Sequence, residues 1–168
     1  MSGDQVPVTR SIGPGLRHYW RLFSRLPGGK WAFSRVLGRY VPYSGSIGAY
    51  VQLLEPGRCV ATLRERRAVR NHLHSVHAMA LANLGELVTG LALLNSLPDN
   101  SRAILTGFSI DYLKKARGRL TAECRCSVPA DNTGQTVTLA GEITDRAGEA
   151  VTRVEARWLI GPEQNVVP

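Results

Sequence analysis

The sequence predicts an α+β domain, an antiparallel sheet packed against one long apolar helix. Two observations carry that reading. The stretch Val76 to Asn95 is apolar on every side and holds a single formal charge, Glu86. Around it lie strand-like segments joined by turns, two before the helix and four after it. Runs of strands divided by a single helix belong to α+β folds with antiparallel pairing.

The 168 residues suit one domain with a core, and the 43% apolar fraction excludes disorder. Residues 1–14, with Gly3, Pro7, Gly13 and Pro14, read as a loose leader lacking the apolar run of a signal peptide. Residues 15–45 read as a basic helical extension, 46–162 as the main domain and 163–168 as a tail. In the extension Arg17, Arg21 and Arg25 fall on one helical face, opposite Leu16, Tyr19, Trp20, Phe23 and Leu26. Pro27-Gly28-Gly29 breaks it, and a second helix from Lys30 to Tyr40 carries Trp31, Phe33, Val36 and Leu37 beside Arg35 and Arg39. Three readings stand for this arm: packing over the sheet or a partner subunit, contact with a membrane surface or an acidic partner, and contact with nucleic acid. The last is disfavoured, because the aromatics read as core anchors rather than stacking platforms. The net charge of +8 attracts polyanions without choosing among them.

Strands are expected at 46–55 and 58–67, joined by Pro56-Gly57 as a hairpin turn. A polar loop, Asn71-His72-Leu73-His74, leads to Ser75 as the expected helix cap, and Leu97-Pro98-Asp99-Asn100 ends the helix. Four further strands are expected near 102–115, 119–128, 135–145 and 149–160. In the first of these, Ile104, Thr106, Phe108, Ile110 and Tyr112 alternate onto one face. The last slips phase once, which implies a bulge.

Three cysteines, Cys59, Cys124 and Cys126, form no paired framework and assemble no tetrahedral metal site. They are expected as free thiols in a reducing cytoplasm. His72 and His74 read as loop residues, and no metal is expected. A membrane span is excluded for the long helix by His77, Asn83, Glu86 and Thr89 and by strands that need a core.

Glu86 is the candidate for chemistry. Desolvating a carboxylate is costly unless it is paired or faces a cavity. Its helical neighbours Ala82, Asn83, Thr89 and Gly90 include no cation. It is either a structural acid bonded across a subunit interface or a base whose pKa burial raises to a useful range. At the start of the helix the free amides of Ala78 and Met79 suit developing negative charge, as an oxyanion hole does. They lie about 10–13 Å from Glu86 by the helix rise, too far for one helix to serve one reacting carbonyl. Both groups can act together only if two copies share a site, which predicts a dimer.

Asn71, His77, Leu84 and Glu86 fall at the spacing of a known signature: Asn or Gln, then His-Gly-Gly six residues on, then Leu, then an acid nine residues after the His. Downstream, the run from Thr106 through Ile110-Asp111-Tyr112-Leu113 to Leu120 is similar to the strand that follows in the same proteins. Over residues 46–160 the chain thus resembles the hotdog acyl-CoA thioesterases of the phenylacetyl-CoA thioesterase group, in which a curved sheet wraps a central helix. The resemblance implies hydrolysis of an acyl-CoA thioester in the cytoplasm by a homodimer or a dimer of dimers. It needs no cofactor beyond the coenzyme A of the substrate. It implies Glu86 as general base or nucleophile, Asn71 and His77 as catalytic partners, and the amides of Ala78 and Met79 as oxyanion hole. Asn83, Thr89 and Gly90 are then candidate substrate contacts. Lys114, Lys115, Arg117 and Arg119 are candidates for the coenzyme A phosphates, or simply a solvated hairpin. Two positions depart from the signature: Ala78-Met79 replaces Gly-Gly, and Gly90 stands where a hydroxyl residue is usual. Those departures keep a non-catalytic acyl-CoA or lipid-binding module as the alternative. A hotdog hydratase needs Asp and His at the helix start, a pattern absent here.

Overall fold

The computed structural model describes residues 11–127 and 129–163. Residues 1–10 of the expected leader and 164–168 of the expected tail lie outside that range. Three helices come first: α1 (Gly13–Ser24), α2 (Gly29–Tyr40) and the short α3 (Pro42–Ser46). They are followed by β1 (Tyr50–Glu55), β2 (Arg58–Arg64), α4 (Ala78–Ser96), β3 (Ser101–Tyr112), β4 (Arg119–Arg125), β5 (Gln135–Thr144) and β6 (Ala150–Pro162). The six strands form one antiparallel sheet in the order β1-β2-β4-β5-β6-β3. The sheet curves around α4 as a hotdog domain does.

The core lies between α4 and the concave face of the sheet. Leu84, Val88 and Ala92 of α4 are fully buried, as are Ala61, Leu63, Leu120, Ala122, Ile143, Ala156 and Ile160 of the strands. Cys59 and Cys124 stand directly opposite each other in β2 and β4, both buried and both free thiols. Burial pushes the Cys124 thiol up to about 12, with smaller contributions from Cys126 and Glu123, so it stays protonated and inert. Two glycines let α4 sit close to the sheet. A Cβ on Gly85 would lie 2.7 Å from the Val154 Cγ1, and one on Gly141 would lie 2.9 Å from its Cγ2. Val154 therefore fits between a helix glycine and a strand glycine. Gly85→Val is expected to cost about 1–3 kcal/mol by overpacking, read as a lower midpoint in urea unfolding.

Four expectations on element boundaries and facing are corrected. Ser75 does not cap α4. Its amide and hydroxyl both donate to Asn71 Oδ1, each at 3.2 Å, and its carbonyl accepts the Asn71 N–H. Val76 then stays extended, donating to Ala116 O, and the cap falls to His77, whose Nδ1 accepts the Met79 N–H at 3.0 Å. β1 begins at Tyr50 rather than 46, because Pro42 opens α3 and Gly48 turns the chain at φ 67°. β2 stops at Arg64, where Arg67–Val69 form a 3-10 turn. Ile104 does not share a face with Phe108 and Ile110. Thr106 is an extra residue in β3, set between the Leu105–Trp158 and Gly107–Arg157 pairs, so the side-chain phase reverses there. Ala103, Leu105, Phe108 and Ile110 pack on the core, while Ile104 is exposed. The bulge expected in the last strand is present: Val151 is extra relative to β5, and Val151 and Thr152 are both buried.

The sheet's two outer edges differ. At β1, the Val51 N–H donates to Ser34 Oγ at 2.9 Å, and Lys30 Nζ donates to Gln52 O at 2.8 Å, so α2 covers that edge. At the other end β3 pairs only with β6 and leaves the outer side of a twelve-residue strand unpaired among the described residues.

Candidate functional site

Glu86 lies on α4 between the α1–α2 pair and Trp158 of the sheet. It is half-buried and lines a cavity of about 530 Å³. Leu16 of α1, Phe33 and Leu37 of α2, Leu91 and Leu94 of α4, and Trp158 of β6 form the apolar walls. Among the described residues no Lys, Arg, His or second carboxylate lines it, and Glu86 makes no ion pair or side-chain hydrogen bond. Desolvation by burial holds its carboxyl above the ordinary glutamate range. Gly90, one turn on, leaves space beside it. A Cβ there would lie 3.1 Å from the Trp158 ring and 3.8 Å from Glu86 Oε1. The arrangement is an unneutralised acid in a greasy chamber, able to take a proton from water at the head of an apolar ligand.

The other sequence candidates divide into three groups. Gly90 joins Glu86 in the cavity wall. Thr89 does not: it is fully buried toward the sheet, and its hydroxyl donates to Gly85 O and Glu86 O. Asn83 is also buried, with Nδ2 tied to Tyr43 O at 3.0 Å and Oδ1 lacking a partner in the structure. It fastens α3 to α4 and is absent from the cavity wall. Asn71, His77, Ala78 and Met79 cluster at the far end of α4. Asn71 Oδ1 already accepts three hydrogen bonds, from Leu73 N, Ser75 N and Ser75 Oγ. The Met79 amide is engaged by His77, while the Ala78 amide has no acceptor among the described residues. Tyr112 Oη donates to Ala78 O at 3.1 Å and ties β3 to this helix end.

Beside that end lies a basic cluster that sequence reading found only in part. Arg64 and Arg119 stand directly opposite each other on β2 and β4, an unfavourable cross-strand pair. Arg66, Arg67, Lys115 and Arg117 are exposed nearby in sequence, and Ala116, between the last two, accepts the Val76 N–H at the foot of α4. Lys114 is withdrawn from the cluster, paired with Asp145 at 2.7 Å and with Glu149. A wider concavity of about 620 Å³ on the outer face of the sheet carries paired charges: Glu123 holds Arg58 and Arg125, and Glu142 holds Arg153. It is a salt-bridged sheet surface rather than a ligand chamber.

The walls contributed by Leu16, Phe33 and Leu37 escaped sequence reading, as did Trp158. A signal was present, since residues 11–54 contain no acidic residue and alternate basic with apolar positions. It marks a two-faced helical segment without saying which site its inner face covers.

A family model described as a domain of unknown function, DUF4442, matches residues 29–160. No curated protein matches the chain. Among solved structures, that of the structural-genomics target APC5556 superposes with a TM-score of 0.78 at 27% identity, covering 88% of this chain and 99% of that one. A Pseudomonas aeruginosa protein of unknown function, PA5026, described as a "Probable Thioesterase", gives 0.71 at 22% identity over 82% and 97%. The Staphylococcus aureus thioesterase SAV0944 gives 0.64 at 17% identity over 72% and 99%. Its two mutant structures alter a glutamine and, fifteen residues further on, a glutamate.

Proposed function

The chain belongs to the DUF4442 family and carries a thioesterase-type hotdog fold, and from that premise we propose that it hydrolyses an acyl-CoA thioester to the free acid and coenzyme A. The observation that carries the reading is Glu86, a carboxylate without a partner among the described residues that faces an apolar cavity lined by α1 and α2. The acyl chain occupies the cavity, and Glu86 removes a proton from the attacking water or attacks the carbonyl itself. The thiolate of coenzyme A is a good leaving group, so no strong acid is needed. Asn71 and Glu86 are fifteen residues apart, the separation of the two positions altered in the staphylococcal thioesterase.

The oxyanion donor comes from a second copy. The Ala78 amide and Glu86 are about 12 Å apart along α4, so they meet only when one protomer's helix end docks against the other's cavity. The uncovered edge of β3 offers the place for that pairing, since a long open strand edge demands cover. The arginines flanking the foot of α4 would then meet the phosphates of coenzyme A carried by the partner's site.

One observation favours a second reading, a non-catalytic acyl-CoA or lipid-binding module. Met79 replaces the second glycine of the signature, and its amide is already occupied by His77. A thiol-release assay across acyl-CoA chain lengths, run beside calorimetry, separates the two. The hydrolase reading expects steady coenzyme A release. Saturable binding without thiol release would leave only the binding module.

A further inference from the structure

The tip of the α1–α2 hairpin exposes apolar and basic side chains together. Leu22 is 53% exposed, Leu26 54% and Trp31 63%. Around them Arg21, Arg25 and Arg35 are exposed, and none makes an ion pair among the described residues. The Arg35 guanidinium lies 6.0 Å from the Trp31 ring centre. Residues 11–54 carry six Lys or Arg and no Asp or Glu, so this segment supplies six of the chain's eight net positive charges. None of these tip residues except Trp31 and Arg35 touches a cavity, and those two line a space of about 360 Å³ among α2, α3, the start of β1 and Leu87, separate from Glu86.

We propose that the α1–α2 hairpin tip is a docking surface for an anionic lipid bilayer. Leucines flanked by arginines and a tryptophan match the interface, where aliphatic groups enter the acyl boundary, indole sits at headgroup level and guanidinium groups meet phosphates. A nucleic acid would neutralise the arginines but leave Leu22 and Leu26 in water. The face is local, because Arg17 and Lys30 of the same helices turn inward to Asp99 and Gln52. This inference does not rest on Glu86 or on the hydrolase reading.

The test is sedimentation of the full chain with vesicles of phosphatidylglycerol and phosphatidylcholine in equal parts, against vesicles of phosphatidylcholine alone. Binding is expected only to the anionic vesicles, weakening with salt. Trp20 and Trp158 are 8% and 4% exposed, so a blue shift of tryptophan emission on binding reports Trp31. Trp31→Phe should abolish the shift while vesicle binding persists. The combined Arg21→Gln, Arg25→Gln and Arg35→Gln variant should bind roughly a hundredfold more weakly, at about fivefold per arginine. Circular dichroism checks that these exposed changes leave the fold intact. Equal binding to neutral vesicles overturns the proposal, as does full binding by the triple variant, a shift that survives Trp31→Phe, or binding to an oligonucleotide with none to vesicles.

Discussion

Glu86→Gln is expected to lower acyl-CoA hydrolysis by about 10²–10⁴-fold, the range for removal of a positioned general base. The amide keeps the shape of the side chain and cannot take a proton, so the cavity and any dimer should persist. The same substitution should raise thermal stability at pH values above the folded pKa of Glu86. Burial lifts the Glu86 carboxyl above its ordinary range, so the folded state holds this proton more tightly than the unfolded chain. The stability that the protonated form contributes is complete below the unfolded pKa and is lost as pH rises through the folded one. As pH rises through that folded pKa the native protein takes on the cost of an ionised, half-buried acid, and glutamine removes it. Thermal melts across pH should show the wild type and the variant converging below the ordinary carboxylate range and separating as pH rises above it. Activity in the wild type should rise with pH through an inflection above the usual carboxylate range, because the base acts ionised. Hydrolysis undiminished in the variant would end the role of Glu86, and melts that never separate would mean its carboxylate is solvated after all.

Leu84→Ala should give the largest loss of stability, about 2–5 kcal/mol, because the residue has no exposed surface and its truncation opens a void within the core. For a chain of this size each kcal/mol lowers Tm by about 2–4 °C. Leu87, one turn of α4 further on, makes the useful contrast. It borders the Glu86 cavity and retains 9% exposure, so truncating it enlarges a void already present. Leu87→Ala should cost less than Leu84→Ala in urea unfolding. Equal losses would mean that the cavity walls are packed as tightly as the core.

The order of elements was legible because each relied on local chemistry. An all-round apolar helix needs cover, Pro56-Gly57 makes a hairpin, and the phase slip in the last strand is a bulge at Val151. Errors arose where a distant group outweighed a local preference. Ser75 has the right chemistry for a cap, but Asn71 holds its amide and carbonyl, and Ala116 holds the Val76 amide, outside the helix. The bulge at Thr106 leaves no mark in composition, so the alternation through Ile104 and Phe108 looked unbroken. For the site, Glu86 stood out as a lone charge, and its neighbours Ala82, Asn83 and Thr89 gave no cation. Its roof could not be read, because nothing local in Leu16, Phe33 or Leu37 says that they fold back over residue 86. Thr89, a candidate substrate contact by sequence, turns instead toward Gly141, where its methyl would sit 3.4 Å from an added Cβ.

Ser34 and Lys30 give the molecule a finished hem on one side and leave it raw on the other. A strand ladder extended through β3 would join two molecules across a two-fold axis and present nothing but finished hems outward. In such a pair growth would stop after one union, and stacking into ribbons would be denied by a serine hydroxyl and a lysine amine. Cutting that stitch, rather than touching the raw side, is what would turn a self-limiting pair into a polymerising one.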